Sequence, residues 1–72
     1  MTNSALLEKA IEDSGFLRRA ILNQMGIKSY ATLRAKIKNE STFSVDEMKK
    51  LSEILKLDDD QREAIFFANV AE

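Results

Sequence analysis

With 72 residues, no Cys and no His, the chain is expected to form one domain, 1–72, near the lower size at which an apolar core offsets chain entropy unaided. That composition excludes disulfides, the usual zinc sites and the commonest general base and thiol nucleophile, and the absence of Cys fits a reducing cytoplasm. The net charge is only −1 and the pI is near 5.4, and no apolar run approaches the roughly 18 residues of a membrane span or the h-region of a signal peptide.

The periodicity predicts five helices and no strand, an all-α fold. Leu6, Leu7, Ala10 and Ile11 recur at spacings of three and four, with Asn3 or Ser4 as N-cap and Ser14-Gly15 as stop, which places a first helix at about 4–14. Phe16, Leu17, Ala20, Ile21 and Met25 continue into a second helix at 16–25. Gly26 ends it, because glycine enters the left-handed region without a Cβ clash. Ser29 caps a third helix at 29–38, whose apolar positions Leu33 and Ile37 share one face and which Lys38-Asn39 closes.

Ser44 with Glu47 three residues later forms a capping box. Val45, Met48, Leu51, Ile54 and Leu55 then keep helical spacing through a fourth helix at 44–56. Asp58 with Gln61 opens a fifth at 59–70, carrying Ala64, Ile65, Phe66, Phe67 and Ala68. The expected core is Phe16, Met25, Leu33, Ile37, Phe43, Met48, Leu51 and Leu55. Adjacent Phe66 and Phe67 point about 100° apart on a helix, so one core can hardly bury both fully. The other ring is free for a homodimer contact or a different protein partner.

Charge is distributed unevenly. From Gly15 to Lys38 stand Arg18, Arg19, Lys28, Arg34, Lys36 and Lys38 and no acid, whereas residues 1–15 and 41–72 are both net acidic. A phosphate surface feels the local field of the face presented to it, so an acidic pI does not exclude nucleic acid. Off the Leu33 and Ile37 stripe, the third helix leaves Tyr30, Ala31, Arg34, Ala35 and Lys38 for a partner. The run Asp58-Asp59-Asp60 is read as acids at a helix N-terminus rather than a cation site, and Glu8 and Glu12 as surface charge.

In order, Gly15, Phe16, the second helix, Met25-Gly26-Ile27, Ser29, Leu33, Lys36-Ile37, Phe43, the Ser44 helix and the Leu57-Asp58 break resemble the Cro and repressor helix-turn-helix family. The likeness is greatest to short regulators of temperate phages of Gram-positive bacteria and covers roughly residues 6–67. It implies a five-helix domain of the Cro/repressor helix-turn-helix type, cytoplasmic in a bacterial host, which regulates the choice between lysis and lysogeny by binding operator DNA through its second and third helices or, as the alternative, by using the same face on a phage repressor protein as a modulator of repression. In that family the third helix enters the major groove and the second crosses the backbone.

Carried over by position, base reading falls to Ser29, Tyr30, Ala31 and one of Arg34 or Ala35. Arg34 can pair bidentately with guanine, Ser29 or Thr32 can reach a phosphate or base, and Ala31 can touch a thymine methyl. Arg18 stands where the family places a phosphate-contacting Gln. Arg19, Lys28, Lys36 and Lys38 supply salt-sensitive attraction. The chain departs from the family in Leu22, where a small residue is usual, and in one added residue between Ile27 and Leu33. Tyr30, Ala31 and Ala35 also replace the amides that read adenine, and such a face suits a protein partner, since Tyr and Arg are enriched at interface hot spots. No catalysis, cofactor, metal or small-molecule substrate is expected, because a core this small encloses no pocket of several hundred Å³.

Overall fold

The structure, a computed structural model, describes residues 2–67. These form five α-helices and no strand: α1 (Ser4–Ser14), α2 (Arg18–Met25), α3 (Tyr30–Ile37), α4 (Val45–Leu55) and α5 (Asp59–Phe66). α5 ends at Phe66, short of the expected residue 70, because Phe67 leaves the helical backbone at φ −123° and ψ 32°; the expected positions from Ala68 to residue 70 lie outside the described residues.

Short-range side-chain chemistry sets most boundaries. Asn3 accepts from the Leu6 N–H at 3.1 Å and Ser29 from the Ala31 N–H at 3.1 Å. Both expected capping boxes are present, Ser44 with Glu47 and Asp58 with Gln61. Three helices then end in the same way. Gly26, Asn39 and Lys56 adopt φ of 74°, 66° and 56°, and the next residue in each case donates back to the last turn: Ile27 to Leu22 at 3.0 Å, Glu40 to Ala35 at 2.8 Å, Leu57 to Ser52 at 2.9 Å. This is the Schellman arrangement, which satisfies carbonyls the helix would otherwise leave open.

Besides the end of α5, one boundary differs from expectation by more than a residue. α2 begins at Arg18 rather than residue 16, because Gly15 turns left-handed (φ 77°), Ser14 Oγ accepts from the Phe16 N–H at 3.1 Å, and Leu17 is extended at ψ 144°. The two-residue link holds its side chains outward: Phe16 is 42% and Leu17 69% exposed. Phe16 is therefore not a core residue, and the apolar periodicity of the second helix starts at Ile21.

Helical spacing otherwise delivers its apolar stripe to a single core. Leu7 and Ile11 of α1, Ile21 and Met25 of α2, Leu33 and Ile37 of α3, Leu51 of α4 and Ile65 and Phe66 of α5 are buried together with the loop residue Phe43. Met48 and Leu55, expected in the core, pack against it half-buried, while Val45 faces solvent in the first turn of α4. Phe66 meets Phe43 edge to face, with centroids 5.6 Å apart and an interplanar angle of 80°.

Residues 2–4 tie three elements together. The Asn39 side-chain amide accepts from the Thr2 N–H and donates to the Thr2 carbonyl, both at 2.9 Å. The Asn3 N–H donates to the Ile65 carbonyl at 2.6 Å, and the Ser4 hydroxyl to the Ile37 carbonyl. The start of α1 is thus fastened to the ends of α3 and α5.

Candidate macromolecule-binding face

Burial of Leu33 and Ile37 turns the opposite side of α3 outward. Tyr30, Ala31, Thr32, Arg34 and Lys38 are exposed, and Ala35 is half-buried. Tyr30, Ala31, Arg34, Ala35 and Lys38 border one shallow depression with Glu40 at its edge. Arg19 and Lys28 border a second, beside the Gly26 turn. Ser29 lies at the helix mouth with its hydroxyl oxygen engaged as the N-cap.

The six basic residues fall into two sets. Arg18 Nη2 donates to Glu8 Oε1 at 3.0 Å, and its guanidinium sits 5.8 Å from the centroid of the Tyr30 ring. Lys36 Nζ lies 2.7 Å from Glu47 Oε1 and also donates to the Thr42 carbonyl at 3.3 Å. Arg19, Lys28, Arg34 and Lys38 make no ion pair among the described residues. Nothing in the spacing identifies Glu8 as a neighbour of the face, because the contact joins α1 to α2 across 10 residues. Asp58 and Asp59, from the acidic run, are engaged as N-cap and as partner of Arg62 at 2.8 Å.

The Lys36–Glu47 pair has a pH signature. Burial alone would raise the Glu47 carboxyl, but the hydrogen bond from Lys36, those within the Ser44 cap and the Lys36 charge outweigh it and hold the carboxyl below its ordinary value of 4.5. A carboxyl lowered on folding contributes stability that is whole above the unfolded value and is lost as pH falls through the folded one. Melting temperature should therefore drop as pH is lowered from about 5 toward 2, and Glu47→Gln should flatten that acid limb. An unchanged limb in Glu47→Gln would assign the acid sensitivity elsewhere.

No protein-family model, curated protein or solved structure matches the chain. No helix among the described residues is long and apolar enough to cross a membrane.

Proposed function

We propose that this chain is a small helix-turn-helix regulator of the phage Cro/repressor kind, and that its α2–α3 face binds a repressor protein, making it a modulator of repression or antirepressor. The observation that carries this reading is the make-up of the exposed α3 face. Its centre is an aromatic ring backed by a guanidinium, two alanines and one free arginine. Ala31 and Ala35 offer no hydrogen-bonding group for a base edge, the Ser29 hydroxyl oxygen is engaged in the helix cap, and Arg18 and Lys36 are already paired. Arg34, Thr32 and the Tyr30 hydroxyl are left as hydrogen-bonding readers, a short set for a specific operator when each base is told apart by its donor and acceptor pattern. A Tyr and Arg centre with a basic rim suits an acidic or polar patch on a protein, where such residues dominate binding. Occupation of the repressor there would mask its reading surface or draw it into a joint complex.

Operator DNA is the second reading, favoured by the unpaired Arg19, Lys28, Arg34 and Lys38. In that case the protein would act as a Cro-like dimer, each subunit placing α3 in a major groove about one turn from the other. The exposed ring of Phe67 would supply an apolar dimer contact.

Titration of operator DNA with the purified chain, alone and with its cognate repressor, at several salt concentrations separates the two. The protein-partner reading expects no specific complex alone and a changed repressor affinity; tight binding alone with a steep salt slope would replace it with the DNA reading. In either assay Arg34→Ala should weaken binding roughly five- to thirtyfold at unchanged thermal stability, as loss of a hot-spot side chain does. Wild-type affinity in that variant would remove α3 from the interface.

A further inference from the structure

Glu8, Arg18 and Tyr30 come from three different helices and meet at one point. The Glu8 carboxylate takes one hydrogen bond from Arg18 Nη2, and the same guanidinium lies against the Tyr30 ring. The other amino nitrogen, Nη1, is shut off from solvent and has no hydrogen-bond partner. The arginine is thus held by a carboxylate on one side and a ring on the other rather than by a full set of hydrogen bonds. Glu8, Tyr30, Arg34 and Lys38 also border a common depression, so the contact opens onto the exposed α3 face.

Tyr30 is the first residue of α3 and its ring is 41% exposed. A tyrosine so placed, with no neighbour, would sample several rotamers and lose that freedom on binding. We infer that Glu8 and Arg18 are a positioning pair that fixes the Tyr30 ring on the α3 face before any partner arrives. The consequence for affinity rests on the reading of that face as the binding surface; the positioning itself is a property of the free chain. Simple exposed pairs contribute little, and Lys9–Asp13, with side chains 71% and 65% exposed, is of that kind. The Glu8–Arg18 pair differs because it orients a third group.

Tyr30 is the sole tyrosine and the chain has no tryptophan, so ring-proton resonances and the near-ultraviolet tyrosine band report on this site. Glu8→Gln and Arg18→Lys should each move the Tyr30 ring shifts toward those of a free tyrosine and diminish the tyrosine band, with the melting temperature little changed. Arg19→Lys, one residue away, should do neither. Repressor binding by the first two variants should weaken roughly three- to tenfold, the scale of one exposed cation–π contact with its ordering effect. Unchanged ring shifts in both Glu8→Gln and Arg18→Lys would overturn the positioning role. Failure of the unaltered chain to bind repressor or DNA would instead overturn the functional reading, since the ring comparison is made on the free chain.

Discussion

Phe66→Ala should destabilise the fold by about 3–5 kcal/mol, whereas Phe67→Ala, one residue on, should change it by less than about 0.5 kcal/mol. Phe66 is the last residue of α5 and Phe67 its C-cap, so their rings leave the chain in different directions. Phe66 is 1% exposed and closes on Phe43, while Phe67 is 44% exposed. Removing the buried ring forfeits its transfer free energy, leaves a cavity, and breaks an edge-to-face pair worth about 0.5–1.5 kcal/mol beyond burial. A chain of this size has a total stability on the order of 5 kcal/mol, so the Phe66 variant should keep no more than about 2 kcal/mol of it. Urea titrations followed by circular dichroism measure both. Equal losses in the two variants would contradict the packing of α5 described above.

Leu33→Ala should cost about 2–5 kcal/mol, on the same helix where Arg34→Ala is expected to leave stability intact. Leu33 is fully buried and belongs to the cluster drawn from all five helices. Its truncation should reduce binding of the proposed partner only by unfolding the chain, while Arg34→Ala should weaken it in a folded one. Leu33→Met, which keeps volume, should lose less than about 1.5 kcal/mol. If Leu33→Ala melted like the unaltered protein, the inward and outward faces of α3 would have to be exchanged.

Features of the fold that depend on a few neighbouring residues were legible in the sequence. The start of α1 and the capping boxes at Ser44 and Asp58 follow from side chains within four residues of the backbone they satisfy, and the left-handed turns at Gly26 and Asn39 from the two residue types that enter that region most readily. The division of Phe66 from Phe67 followed from helical geometry, although which ring faced inward did not. Phe16 was misleading because a two-residue link can carry apolar side chains in helical phase without being helix. Lys56 gives no signal at all: a lysine in the left-handed region is imposed by the turn into Leu57 and Asp58, not by its own preference.

At the candidate face, the outward set on α3 could be read from the Leu33 and Ile37 stripe. The pairing of Arg18 with Glu8 and of Lys36 with Glu47 could not, because each joins residues 10 or 11 apart on different helices. These contacts change the charge of the face. They convert a run of six cations into four without an ion pair among the described residues, Arg34 and Lys38 beside Tyr30 and Arg19 and Lys28 beside the Gly26 turn.

The fastening of residues 2–4 makes α3 mechanically lopsided. Its last turn is anchored through Ile37 and Asn39 to the beginning of the chain, which is itself hooked to Ile65, whereas its first turn is held by the Ser29 cap, the buried Leu33 and the Tyr30–Arg18 contact. The two ends are therefore held differently, by hydrogen bonds to the beginning of the chain at one and by a cap, packing and an ion-paired guanidinium at the other. The helix is a lever with its heel bolted down and its toe resting on α1 and α2, and the toe is the end proposed to meet a partner.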